Sequence, residues 1–136
     1  MRIVLDTNVI IAAFATRGLC HSVFELCVDR HTIFLGAELL TEIESNLRKK
    51  IKLPDAIISE ILAYLRDIAS LEETDPTVKD ICRDADDDKV LGLAKKSNAE
   101  YIITGDEDLV LLQEFCSTKI VRPRKFWEIL RQSDKK

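Results

Sequence analysis

The sequence predicts an α/β fold, a parallel sheet covered by helices on both faces, and three observations carry that prediction. Short apolar runs at residues 3–5, 32–35 and 101–103 are too brief for helices and lack the alternation of a half-exposed strand. Segments whose apolar residues recur at helical spacing separate them. Two of the runs lead within three residues to an aspartate, Asp6 and Asp106, and in open parallel sheets ligands bind outside the carboxyl ends of the strands.

In chain order, residues 3–5 read as a buried strand ending at Asp6, and the apolar stretch 9–14 after Thr7 and Asn8 reads as a helix. Val23, Phe24, Leu26 and Cys27 suit a second helix, followed by a strand at Thr32–Leu35 bounded by Gly36. Leu39, Leu40, Ile43 and Leu47 mark a third helix, closed by Arg48, Lys49 and Lys50, cations that suit its negative end. Pro54 and Asp55 start the next, whose stripe of Ile57, Ile58, Ile61, Leu62 and Leu65 runs to about residue 68. A weak edge strand is expected at 70–74, then a polar stretch containing Pro76. Val90, Leu91, Leu93 and Ala94 belong to a helix leading into the strand 101–103, which ends at Thr104, Gly105 and Asp106. A short helix through Leu109, Val110 and Leu112, a strand at 119–121 and a helix after Pro123 with Phe126, Trp127, Ile129 and Leu130 complete the pattern. Residues 131–136 are expected to fray.

With 136 residues, one domain spanning 1–136 can bury its own core without disulfides or a structural metal. Residues 46% hydrophobic and 32% charged match a globular protein, and no run approaches the roughly 18 apolar residues of a membrane span. The opening Met-Arg-Ile-Val-Leu-Asp lacks the layout of a secretory signal, so a cytoplasmic location is expected. Cys20, Cys27, Cys82 and Cys116 lie in apolar surroundings without paired short spacings, which predicts reduced core thiols and not a zinc site with His21 or His31. A net charge of −4 argues against a general nucleic-acid coat protein held by phosphate contacts. It leaves room for an enzyme whose acids hold cations, because a bound ion reverses the local field.

Acids stand out at four places: Asp6, Glu42, the run Asp84, Asp86, Asp87 and Asp88, and Asp106. Each has a plain structural reading. Asp84 and Asp106 can cap helices, and Glu42 can be an exposed helix residue. Asp6 is harder to dismiss, since a carboxylate directly after a buried strand needs a partner. Asp84, Asp87 and Asp88 fall at i, i+3 and i+4, on one face near a helix N-terminus. Clustered carboxylates repel unless cations compensate them, and Mg²⁺ or Mn²⁺ favour oxygen ligands. Such a site suits hydrolysis of a phosphodiester. With only two histidines no Ser/His/Asp triad is evident, and among four glycines there is no phosphate-binding GxxxxGK loop. Arg17, Arg48, Lys49, Lys50, Lys52, Lys95, Lys96, Arg122, Arg124 and Lys125 could touch a nucleic-acid backbone, although most read as solvated helix-end charges.

Four segments together resemble the PIN domain family, and more narrowly the PIN-family toxins of prokaryotic toxin–antitoxin systems, the group that includes VapC. They are Ile-Val-Leu-Asp-Thr-Asn-Val at 3–9, Glu-Leu-Leu-Thr-Glu-Ile at 38–43, Asp-Ala-Asp-Asp-Asp-Lys-Val-Leu-Gly-Leu-Ala at 84–94, and Ile-Ile-Thr-Gly-Asp-Glu-Asp-Leu at 102–109. The resemblance implies a three-layer α/β/α sandwich with about five parallel strands. It implies metal-binding and catalytic acids at Asp6, Glu42, Asp87 and Asp106, with Thr7, Asn8 and Thr104 as supports; the acidic run departs from the family pattern, since Asp84, Asp86 and Asp88 crowd the expected position and leave open which of them, Asp84 or Asp88 foremost, joins Asp87 at the metal. It further implies Mg²⁺- or Mn²⁺-dependent cleavage of single-stranded RNA, an antitoxin partner and a homodimer. Two other classes compete with this reading. A phosphoacceptor signalling module would place paired acids after the first strand and a separate aspartate after a middle one, where this chain has Asp6-Thr7-Asn8 and Gly36. A catalytically idle module that binds RNA or protein could use the same fold.

Overall fold

The computed structural model describes residues 1–134. Among them, the elements in chain order are β1 (Arg2–Leu5), α1 (Thr7–Ala15), α2 (Leu19–Arg30), β2 (Thr32–Leu35), α3 (Ala37–Lys49), α4 (Asp55–Ile68) and β3 (Ser70–Leu71). Then come α5 (Ala85–Ser97), β4 (Tyr101–Ile103), α6 (Glu107–Leu112), β5 (Glu114–Phe115), β6 (Thr118–Val121) and α7 (Pro123–Asp134). The strands form one sheet in the order β3-β2-β1-β4-β6-β5, the first five parallel and β5 antiparallel to β6.

β1 lies between β2 and β4, with Ile3 opposite Ile33 on one side and Tyr101 on the other. Ile3, Val4 and Leu5 are all fully buried, so side chains on both faces of the pleat are covered, as the unbroken apolar runs require. The chain winds outward from β1 to β2 and β3, then returns to place β4 on the other side of β1. Strand order therefore reverses between β1 and β4, and a crevice opens beyond their carboxyl ends. α5 packs over β1, β2 and β4, while α7 closes against α2 through the fully buried Phe126, which meets Tyr101 edge-on with centroids 5.4 Å apart.

The three-layer α/β arrangement and its parallel strands thus follow the sequence reading, with differences at the margins. The expected edge strand at 70–74 shortens to two residues, because past Leu71 the chain turns inward along α5. There Asp75 N–H donates to Gly92 O at 3.2 Å and Thr74 Oγ1 donates to Lys89 O at 2.9 Å. A Cβ on Gly92 would lie 2.8 Å from Asp75 O, so this approach needs a glycine. β5 was not anticipated. Its two residues gain strand character only by pairing with β6, with positive φ at Gln113 before them and at Cys116 in the turn after them. α7 continues through Asp134, past the expected fraying point at 131, and residues 135–136 lie outside the described part. All four cysteines are free, but only Cys27 is a core thiol and Cys116 is exposed in that turn. Among the described residues, no single helix is long and apolar enough to cross a membrane.

Candidate active site

Asp6 sits where β1 gives way to α1. Its N–H still donates to Ile103 O across the sheet at 2.9 Å, while its carbonyl already accepts from Val9 and Ile10. The backbone is fixed on both sides, and the side chain is 6% exposed. Thr104, one residue beyond β4 and fully buried, donates its hydroxyl to Asp6 Oδ2 at 2.7 Å. The same hydroxyl accepts the Asp106 N–H at 3.0 Å. One threonine therefore ties together two acids from adjacent strands 100 residues apart in number.

Asp106 caps α6, its Oδ1 accepting the Leu109 N–H at 3.2 Å, and Asp84 caps α5 by accepting the Asp86 N–H at 2.9 Å. The capping and site readings are thus compatible. Asp6, Asn8, Glu42, Asp84, Asp86, Asp87 and Asp106 line a cleft of about 470 Å³, with Lys50 and Lys89 also on its wall. Asp88 does not join them: its Oδ1 accepts the Cys82 N–H at 2.8 Å, and the residue is 6% exposed. The shared face expected for Asp84, Asp87 and Asp88 holds for the first two, which both line the cleft, and fails for Asp88, which turns back to hold the preceding loop.

Burial and mutual repulsion shape the charge of the cluster. Desolvation and the fields of Asp106 and Asp6 push the Asp87 carboxyl up to about 7. Burial also raises Asp6, against the opposing hydrogen bond from Thr104, and it raises Glu42, helped by Asp86 and Asp6. Thr7 Oγ1 is buried without a hydrogen bond of proper geometry, although it lies near enough to Glu42 to favour that group's ionised form. Carboxylates held this close and this far above their ordinary range are short of positive charge. An all-oxygen donor set of this kind suits a hard divalent cation.

Carboxylate oxygens of Asp87, Asp106 and Asp108 lie within 4.8 Å of one another, a spacing that could hold one ion. Asp108 was missed in the sequence reading, where it passed as the second acid of a helix start. No local signal marked it, because residues two apart at a helix start do not share a face and nothing nearby shows which way the first turn of α6 points. Asp108 also carries a bidentate pair from Arg83, Nη2 to Oδ1 at 2.8 Å and Nε to Oδ2 at 3.3 Å.

Residues 2–108 match the family model of the PIN domain, a span that contains Asp6, Glu42, Asp87, Asp106 and Asp108. The chain belongs to the PIN domain family. PIN domains are generally nucleases that use divalent metals. This PIN domain is 30% identical over 121 residues to an uncharacterised protein of Methanocaldococcus jannaschii, covering 84% of this chain and 76% of that protein. Its fold is similar to that of a chain in the crystal structure of VapBC2 from Rickettsia felis bound to a DNA fragment from their promoter. That match has a TM-score of 0.65 at 14% identity, covering 90% of this chain and 98% of the other.

Proposed function

We propose that this PIN domain is a divalent-metal-dependent endoribonuclease that cleaves single-stranded RNA, the toxin component of a toxin–antitoxin pair. The observation that carries the reading is the convergence of Asp6, Glu42, Asp87 and Asp106 on one cleft at the strand-order reversal. Asp6, Asp87 and Asp106 would hold Mg²⁺ or Mn²⁺, with Asp108 near enough to Asp87 and Asp106 to add a ligand and Glu42 on the same cleft to orient water. When bound, the ion supplies Lewis acidity and the positive field that lets a phosphodiester enter an acidic cleft. Thr104 holds Asp6 in a single orientation, and the Leu109 N–H does the same for Asp106. Asn8, exposed at the start of α1, can donate to a phosphate or ribose oxygen, while Lys50 and Lys89 offset phosphate charge at the cleft wall.

A protein antitoxin as partner is supported by the resemblance in fold to a chain of a VapBC complex. A homodimer and a cytoplasmic location belong to the same reading, and light scattering of the purified chain tests the first of these.

The deciding experiment incubates metal-stripped protein with labelled single-stranded RNA, with and without Mn²⁺ or Mg²⁺, and runs Asp87→Asn in parallel. Cleavage that requires both metal and Asp87 is expected. Tight RNA binding without cleavage under either metal would replace this reading with that of an idle binding module.

A further inference from the structure

Arg83 lies in the loop before α5 and, at 87% side-chain exposure, is among the least buried groups near the cleft. Two of its donors are nevertheless engaged. Its Nε and Nη2 bond separate oxygens of Asp108, so the side-on edge of the guanidinium is occupied by a residue whose carboxylate lies within 4.8 Å of those of Asp87 and Asp106. An arginine has five N–H donors in a rigid fork, and two are used here. Among the described residues the other three, including the end-on edge formed by Nη1 and Nη2, have no protein partner. An exposed pair of this kind contributes little to stability. Its consequence is geometric: a fork shaped for phosphate is fixed beside the acidic cluster, facing solvent.

We infer that Arg83 is an RNA-binding residue, anchored side-on by Asp108 so that its free end-on edge grips a backbone phosphate of a strand entering the cleft. The inference rests on the ribonuclease reading and adds to it the residue that holds the substrate. Lys89, whose Nζ pairs with Asp86 at 3.3 Å, and Lys50 line the cleft itself. Arg83 lies outside that lining and reaches the cluster through Asp108, so it would add a phosphate-binding cation to those of the cleft wall.

The test measures kcat and KM of the full chain on a single-stranded RNA oligonucleotide in Mn²⁺ over a range of salt, for wild type, Arg83→Gln and Arg83→Lys. Melting temperature and Mn²⁺ affinity by calorimetry are followed for each. Arg83→Gln is expected to raise KM about tenfold while kcat changes less than about twofold. It should also flatten the dependence of log(kcat/KM) on log salt by roughly 0.7, the loss of one phosphate contact on a single strand. Arg83→Lys is expected to recover the salt slope but only part of the KM, since it restores charge without the fork. If Arg83→Gln instead shifts melting or Mn²⁺ affinity and leaves KM and the salt slope unchanged, Arg83 only balances the charge of Asp108 and the inference is overturned. A wild-type chain that neither binds nor cleaves RNA would remove the ribonuclease reading itself, and this inference with it.

Discussion

Asp87 is where stability and function conflict most directly. Its carboxyl is raised from 3.8 to about 7 in the folded chain, so between those values the folded state binds a proton that the unfolded state releases. The contribution is favourable below about pH 4 and is lost as pH rises through 7, the reverse of a salt-bridged aspartate. Metal-free protein should therefore lose stability over this window, by roughly 1–2 kcal/mol once the full shift is discounted for the open cleft. Asp87→Asn should raise the metal-free melting temperature at pH 8, abolish cleavage, and match wild type near pH 4, as thermal melts at three pH values would reveal. Thr104→Val removes a buried donor from Asp6 and an acceptor from the Asp106 N–H. Destabilisation of about 1–3 kcal/mol and weaker Mn²⁺ binding are expected by denaturant titration and calorimetry. Asp6 was legible in the sequence because a carboxylate after a buried strand needs a partner. Asp108 was not, since nothing local says that the first turn of α6 faces α5. Asp88 misled, because helical spacing cannot reveal that a side chain has been recruited by the Cys82 N–H behind it.

The elements themselves were legible wherever one periodicity dominated. β1 and β2 are apolar after their first residue, β4 is apolar throughout, and α3 and α4 carry clean stripes, so run length and periodicity decided each of them. β5 was invisible because two residues hold no period, and the limits of β3 depend on a loop that docks elsewhere. That docking makes its own prediction. Gly92 lets residues 72–75 lie against α5, and Gly92→Ala would drive a methyl group into Asp75 O and the Thr74 side chain. A loss of about 1–3 kcal/mol is expected. Faster proteolysis and hydrogen exchange should appear across residues 72–84, the segment that ends in Arg83 and Asp84, and the exchange rates of α7 should be unchanged if the loosening is local.

For the molecule as a whole, the proposed reading of a cleft lined by acids from α3, α5 and the ends of β1 and β4 makes bound cations a source of stability. Saturating Mn²⁺ or Mg²⁺ should raise the melting temperature in proportion to the logarithm of its concentration above the dissociation constant, and a chelator should reverse the shift. No shift at millimolar metal would argue against a preformed site. The winding of the sheet was legible as alternation but not as strand order, because contacts between distant strands leave no local mark. That order has a consequence for the chain during its synthesis. β1 is made first, yet Asp6 receives its hydroxyl from Thr104, and β4 must slot between β1 and β6 before the acids face one another. A ribosome-bound chain that has emerged only as far as β3 holds Asp6 and Glu42 but neither Asp87 nor Asp106. The four acids therefore come together only once β4 has been made, and on the proposed reading the nascent chain carries no complete centre before that point.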